Sequence, residues 1–420
     1  MKNSLMLVLL TVLFVCGAAV ASAQVQNASN IVIDDDGMAS PTNCSATLPA
    51  FTSIQAGINA ASPNATVTVC PGTYAEQVKI SAKTIRLKGK AEGNNNLILI
   101  KPNGVTQNST SISSGNPIAA VILVEAAANV LIDNLTVDGA MNGLTGCSPN
   151  LVGVFFRNST GSATNNTVRN IKLGAGLEGC QSGLGIFIQT GSAPGFNSVV
   201  TLMNNSVHDY QKNGITANEA NTKLTARGNS VTGFGPNPNI AQNGIQVAFG
   251  ATGLIETNSV INHIYSPCTT ASCSAVSTNI LVSGSNAVTV RSNRLGKSQV
   301  SIYYVGNSGI IQSNAVVDTD AFDGIVADGD NNDVLSNTIA NSDEAGIYVA
   351  GNGNDIKLNS INEAPIGVID DGTATVVPVA GAGANRFYNT AEKVAIPAPR
   401  AQPRALTGSP ESGATSAIRP

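Results

Sequence analysis

Six carboxylates in the C-terminal third of the chain are the residues whose types and spacing best suit catalysis. They are Asp318, Asp320, Asp323, Asp343, Glu344 and Glu363. Counted along the repeat described below, Asp320 and Asp343 occupy equivalent positions in neighbouring repeats. Asp318 and Glu363 are also equivalent, with Asn341 between them. Crowded carboxylates raise one another's pKa or bind a cation such as Ca²⁺, and glycoside hydrolysis uses a pair of them. The sequence therefore offers a candidate catalytic site with possible calcium binding, and a hydrated acidic rim is the alternative.

A second polar group lies in one segment, from His208 to Lys212. His208 and Asp209 supply a base beside a carboxylate, and Lys212 supplies an ammonium group. These types suit ligand binding, but the sequence identifies no catalytic partner for them.

An uncharged stripe follows the outward positions of one predicted strand in each repeat. Its members that could contact a ligand are Phe155, Phe187, Gln246, Tyr303 and Tyr348. A lyase or hydrolase needs charged groups at its reacting centre. Flat rings and an amide instead suit sugar binding. The alternative is that loops fold over the stripe and bury it.

A repeat of about 22 residues must position all these side chains. Asn293, Asn314, Asn337 and Asn359 follow one another at intervals of 21, 23 and 22 residues. Short apolar segments with this period are typical of a parallel β-helix, and parallel crossovers are right-handed. We therefore predict an all-β fold: a single right-handed parallel β-helix, with an N-terminal capping helix within Phe51–Ala60 whose apolar spacing is helical.

Two aligned series define the predicted coils. The first contains β-branched residues that should point inward: Val154, Ile186, Ile215, Ile245, Ile280, Ile302, Ile325, Ile347 and Val368. The second contains asparagines that should occupy left-handed corners and stack from coil to coil: Asn134, Asn170, Asn205, Asn229, Asn258, Asn293, Asn314, Asn337 and Asn359. Identical side chains at the spacing of adjacent strands form ladders, and Asn tolerates a left-handed backbone.

The composition indicates an exported protein. The 420 residues include 42 Gly and no Trp, and 11% are charged. Lys2, an apolar core and Ala21-Ser22-Ala23 resemble a secretory signal. Its removal would change the formal net charge from −4 to −5, which argues against nucleic-acid binding. The predicted boundaries are 1–23 for the signal peptide, 24–66 for the N-terminal cap, 67–390 for the β-helix and 391–420 for a flexible tail.

Six cysteines remain after removal of the signal, an even number that favours disulfides in an exported protein. Their places in the repeat favour the pairs Cys44–Cys70, Cys147–Cys180 and Cys268–Cys273. Other pairings are compatible with the same count.

The segments Phe51–Gln55 and Val67–Ile80, together with the Asn-anchored coils, resemble the pectin-lyase-like superfamily. The resemblance implies a right-handed β-helix that often binds or acts on polysaccharides, with the ligand cleft over the first strand of each coil. Pectin methylesterases, polygalacturonases, pectate lyases and epimerases of this fold each carry catalytic motifs, and the sequence lacks them.

These observations predict a secreted protein, extracellular, periplasmic or at the cell surface, that binds polysaccharide and is more plausibly a binding protein than an enzyme. One alternative is a polysaccharide lyase or glycoside hydrolase that uses the acidic segments. Another is a non-catalytic surface or adhesive scaffold. We further expect a monomer without membrane insertion or nucleic-acid partners.

Overall fold

The computed structural model describes residues 28–93, 97–191, 195–267 and 275–396. The predicted signal peptide, most of the predicted tail and the pair Cys268–Cys273 lie outside these residues. The described chain forms a right-handed parallel β-helix, as predicted, in which three long parallel sheets surround a continuous core.

The first sheet is formed by β1 Asn30–Ile33, β2 Ala65–Val69, β5 Ile85–Gly89, β9 Val130–Asp133, β12 Gly161–Thr164, β15 Ser198–Met203, β18 Thr222–Arg227, β21 Thr252–Glu256, β24 Thr289–Arg291, β27 Ile310–Gln312, β30 Asp333–Leu335 and β33 Asp355–Lys357. The second is formed by β3 Gly72–Tyr74, β6 Ile98–Ile100, β10 Thr136–Asp138, β13 Thr167–Arg169, β16 Ser206–His208, β19 Ser230–Asn237, β22 Ser259–Tyr265, β25 Arg294–Ser298, β28 Ala315–Thr319, β31 Thr338–Ser342, β34 Ser360–Asn362 and β36 Arg386–Tyr388. The third is formed by β4 Val78–Ser81, β8 Pro117–Glu125, β11 Asn150–Arg157, β14 Leu184–Gln189, β17 Asn213–Asn218, β20 Asn243–Ala248, β23 Thr278–Ser283, β26 Val300–Val305, β29 Ile325–Asp328, β32 Ala345–Asn352, β35 Ile366–Thr373 and β37 Glu392–Ala395. A short strand, β7 Ser109–Thr110, pairs antiparallel with β8.

The inward ladder has the predicted register. Val154 pairs with Ile186, Ile186 with Ile215, and the series continues rung by rung to Val368. Each member is at most 1% exposed. β-Branched side chains fit this position because they pack well against the pleated surface above and below.

The asparagine ladder differs from the prediction at its start and in its backbone. It runs through Asn166, Asn205, Asn229, Asn258, Asn293, Asn314, Asn337, Asn359 and Asn385. Asn134 and Asn170 were wrongly included. Both have a positive φ, and their amides donate to Gly89 and to Asp138 instead. From Asn166 to Asn359, the left-handed corner is the residue before each ladder asparagine, for example Ser292 at φ +56°.

The capping helix is present as α1, Ile54–Ala60. The Ser53 hydroxyl accepts a hydrogen bond from Ala56 N, while the Glu76 carboxylate accepts from Ile54 N and Gln55 N at 2.6 and 2.9 Å. These contacts satisfy amides that a helix N-terminus leaves without partners. Ile54 and Ile58 are 0% and 3% exposed, so the helix seals the N-terminal end of the core.

Two of the predicted disulfides are present, Cys44–Cys70 and Cys147–Cys180. The first fastens the cap and the second fastens loops of adjacent coils. Among the described residues, no helix is long and apolar enough to span a membrane.

From β9 onward the turn from the first to the second sheet has a constant length of two residues, whereas the connection from the second to the third sheet varies. Two residues separate Arg291 from Arg294, as they do Leu335 from Thr338. The variable connections include residues 139–149, residues 170–183 and the single residue 299. The two-residue turns carry the asparagine ladder from Asn166 to Asn359, and the variable connections carry most of the acidic candidates.

Candidate functional site

The acidic segments lie where successive coils pass from the second to the third sheet. Asp318, Asn341 and Glu363 occupy one corner column with φ of +56°, +58° and +56°. The amide of Asn341 donates to Asp318 Oδ1 at 2.9 Å, and the backbone N–H of Ala321 donates to Asp343 Oδ2 at 2.8 Å. The predicted equivalence of these positions therefore holds in three dimensions.

The carboxyl of Asp320 has a raised pKa. Partial removal of water around Asp320, followed by the charges of Asp343 and Asp318, raises the pKa of its carboxyl above the ordinary value. Asp323 differs from the other acidic residues because it is 0% exposed, in the connection just before β29, whereas Glu344 is half-buried. Among the described residues, the one group of three acidic, cysteine or histidine side chains with ligand atoms within 4.8 Å of one another is Asp34, Cys44 and Cys70. Its two cysteines form a disulfide. Within the described residues, the acidic segments hold no group of three ligand atoms this close together.

The predicted aromatic stripe is buried on the outer face of the third sheet. Phe155 and Phe187 are 0% exposed and stack with their ring centroids 4.8 Å apart. Tyr303 and Tyr348 are 5% and 2% exposed, in a cluster that also includes loop residue Phe322. The alternative interpretation of the stripe therefore holds: an apolar sheet face leaves water, and these rings are not an open platform.

Between these two apolar clusters, the same face carries buried amides and hydroxyls. Gln246 accepts a hydrogen bond from Asn213 Nδ2 at 2.9 Å and donates to Asn218 Oδ1 at 2.8 Å. Asn243 donates to Asn213 Oδ1 at 3.2 Å and accepts from Thr278 at 2.9 Å. This network links consecutive coils and occupies the side chain of Gln246.

The segment from His208 to Lys212 is divided between surface and interior. His208 is about one-third exposed, and its Nδ1 lies 2.7 Å from Asp209 Oδ2. Lys212 is 0% exposed, and its Nζ donates to the Ala241 carbonyl at 2.6 Å. Burial lowers the pKa of this amine to about 7. The structure therefore separates the base from the ammonium group.

An open groove of about 400 Å³ lies between the connections of three consecutive coils. We call it the loop groove. It is lined by Lys172, Leu173, Ala175, Glu178, Gln211, Phe234, Pro236, Asn237, Pro238 and Asn239. Phe234 is 42% exposed, and Lys172 Nζ lies 5.0 Å from the centroid of its ring. The groove thus combines a flat apolar surface with one cation and one carboxylate.

A β-bulge explains why the ring of Phe234 faces solvent. The register of β19 against β22 shifts between Thr232 and Gly235, and Gly235 has φ +79°. A bulge re-aims the side chains within it, and the left-handed glycine permits the sharp bend. Phe234 lies inside this bulge, so its side chain does not follow the inward–outward alternation of β19.

Both walls of the loop groove are held by hydrogen bonds. Gln211 accepts from Leu173 N at 2.9 Å and donates to Leu177 O and Cys180 O at 2.7 and 2.9 Å. The disulfide with Cys147 restrains the same wall. In the other wall, Asn237 Oδ1 accepts from Asn239 N at 2.9 Å. Preformed walls reduce the entropy lost when a ligand binds.

Similarity to known proteins is limited to the fold. No protein-family model matches the sequence, and neither does any curated protein. The A-module of mannuronan C-5 epimerase AlgE4 from Azotobacter vinelandii is similar over 89% of this chain and 100% of its own, with 15% identity and a TM-score of 0.50. The GH136 lacto-N-biosidase from Eubacterium ramulus covers 87% of this chain and 68% of its own, with 13% identity and a TM-score of 0.52. PfbA, a surface adhesin of Streptococcus pneumoniae, is similar over 81% of this chain and 86% of its own, with 13% identity and a TM-score of 0.52. These identities show a shared parallel β-helix and leave the activity open.

The sequence interpretation missed the loop groove. Its residues come from connections more than sixty positions apart, from Lys172 to Asn239, and their proximity depends on how three coils stack. One local signal was available. Gly233-Phe234-Gly235-Pro236 places a ring among residues typical of turns, which is where an exposed aromatic residue would be expected.

Proposed function

We propose that this protein is exported and binds polysaccharide, with the loop groove as the site for a short sugar segment. The observation that carries the proposal is the exposed ring of Phe234 in a groove with restrained walls. The groove volume lies within the range of small-ligand pockets. The apolar face of a sugar ring packs against an aromatic ring, while Lys172, Glu178 and Asn237 supply donors and acceptors for hydroxyl groups.

Two further observations support export and a saccharide ligand. The signal-like N-terminus and two disulfides are typical of proteins from oxidising compartments. Two of the similar structures are named as a mannuronan epimerase and a lacto-N-biosidase, and a third as a surface adhesin. The shared scaffold is compatible with saccharide binding with or without catalysis.

The Phe234→Ala variant tests the groove. We expect binding to the best glycan of an immobilised polysaccharide panel to weaken at least about tenfold, because the stacking surface is removed. Affinity would be measured by calorimetry with the excised oligosaccharide. Phe196→Ala is the matched control, because Phe196 is 43% exposed and does not line the groove. Equal affinities for all three proteins would refute this site.

A second candidate function is glycoside cleavage by the acidic segments. It is favoured by the raised pKa of Asp320 beside Asp343, since a carboxyl that keeps its proton can protonate a leaving group.

If the acidic segments cleave glycans, Asp320→Asn should reduce turnover at least about a hundredfold while leaving substrate affinity nearly unchanged. Wild-type turnover should fall as the pH rises through the raised pKa of Asp320. Product formation would be followed by mass spectrometry, with Glu392→Gln as a charge-matched control. Unchanged products from the Asp320 variant would exclude this role.

A further inference from the structure

The two ends of the β-helix are capped differently. At the N-terminal end, α1 covers the core with Ile54 and Ile58, which are 0% and 3% exposed. At the C-terminal end, the last interior rung is Val377, Phe387 and Val394. All three are half-buried and pack against the core cluster.

Each side of this last coil also presents a strand edge. β36 and β37 are the final strands of the second and third sheets, and Val376 extends the first sheet through a bridge to Asp355. Within residues 28–93, 97–191, 195–267 and 275–396, no strand pairs beyond them. An edge presents backbone N–H and C=O groups that can pair with another chain.

Large apolar side chains surround the same end. Val379 is 50% exposed, Tyr388 51% and Ile396 85%. We call these residues, the last rung and the three edges the C-terminal end face. A concentration of exposed apolar groups at one end of a protein marks an interaction surface.

We propose that the C-terminal end face binds the same face of a second copy of this chain. Three strand edges arranged around one core match a partner that presents three edges around a core, which is the end of another β-helix. Because α1 closes the opposite end of every copy, the available contact joins C-terminal end to C-terminal end. A surface that binds itself forms a closed two-fold dimer.

With this two-fold geometry, the backbone groups of the strand edges can form hydrogen bonds and the charged side chains of the end face can pair. An axis perpendicular to the helix reverses the direction of winding, so facing strands meet antiparallel and can form an antiparallel ladder. The edge strands carry Arg386, Glu392 and Lys393, which are exposed. Mixed charges on a self-complementary surface can pair with one another across the axis. This proposal replaces the sequence-based expectation of a monomer.

Sedimentation equilibrium of the full chain tests the dimer. We expect wild-type protein to convert from monomer to dimer as its concentration rises. The variants Tyr388→Asp and Ile396→Asp should weaken dimerisation at least about tenfold each, because they place a charge among the apolar side chains that surround the end face. Both side chains are more than half exposed in the single chain, so these substitutions leave its folding intact.

Met141→Asp is the control, because Met141 is 68% exposed elsewhere on the surface and should leave the dimer unchanged. A wild-type protein that remains monomeric at every concentration would overturn the proposal. So would a dimer that neither end-face variant weakens. Glycan binding by the loop groove does not enter this measurement, so the two proposals fail independently.

Discussion

Replacing Asn293 with alanine should lower the free energy of unfolding by about 3 kcal/mol or more, although the residue does not line the loop groove. Asn293 is 1% exposed. Its amide donates to Ile255 O at 3.0 Å and to Asn314 Oδ1 at 2.9 Å, and its oxygen accepts from the backbone and side-chain nitrogens of Asn258 at 3.0 Å each. Truncation removes these four buried hydrogen bonds, and each buried group left unsatisfied costs about 1 to 3 kcal/mol.

Urea unfolding followed by circular dichroism measures this effect. Asn286→Ala is the matched control, because Asn286 accepts a single bond, from Asn307 N at 2.8 Å, in an exposed turn. We expect the control to lose less than about 1 kcal/mol. If both variants lost the same amount, the ladder would not be a principal source of stability.

The second large effect should appear on acidification, at His263. This side chain is 0% exposed, and its Nδ1 lies 2.7 Å from Asn279 Oδ1 while Nε2 meets the hydroxyl of Tyr210. Burial lowers its pKa from 6.5 to about 4, and the bond to Asn279 opposes the shift only in part. The folded protein thus holds the ring neutral where the unfolded chain would protonate it.

The sign of the pH dependence follows from this difference. The contribution of His263 is complete above pH 6.5 and is lost as the pH falls from 6.5 to about 4. The shift corresponds to about 3 kcal/mol. Asp34 acts in the opposite sense, because burial and the charge of Asp36 raise its pKa to about 6, so its ionisation destabilises the fold as the pH rises.

Comparing variants isolates His263 from Asp34. His263→Gln keeps a neutral side chain that can bond to Tyr210 and Asn279, so its stability should change much less than that of the wild type between pH 6.5 and 4. The free energy of unfolding would be measured across this range. His208→Gln removes the other histidine of the chain, at the surface. Equal flattening by both variants would contradict the assignment to His263.

The fold could be predicted because its determinants are local and periodic. The inward series from Val154 to Val368 needed only a period and a preference for β-branched residues, and every pairing is present. The asparagine ladder was misplaced at Asn134 and Asn170 because an asparagine can occupy either of two corner roles. Only the stacking of coils shows that Asn166 has the buried one.

The candidate sites were less predictable. Each depends either on whether loops bury a sheet face or on loops that are far apart in the sequence. Phe155 and Tyr348 lie on the predicted outward row, yet burial removes them from solvent. Alternation along a strand identifies a face, but it does not show whether that face is covered. Phe234 shows the converse, since a bulge exposes a ring that a regular strand would have placed elsewhere.

The difference between constant and variable connections separates the residues that hold the coils together from those that can change ligand recognition. The turns that carry the ladder keep two residues in every coil from Asn166 to Asn359, whereas the passage from the second to the third sheet ranges from residue 299 alone to residues 170–183. A connection such as residues 238–242 can therefore change in length or sequence without altering the two-residue turns that hold the ladder. Along this edge, new specificities can arise through changes in the connections, while the asparagine ladder at the two-residue turns is preserved.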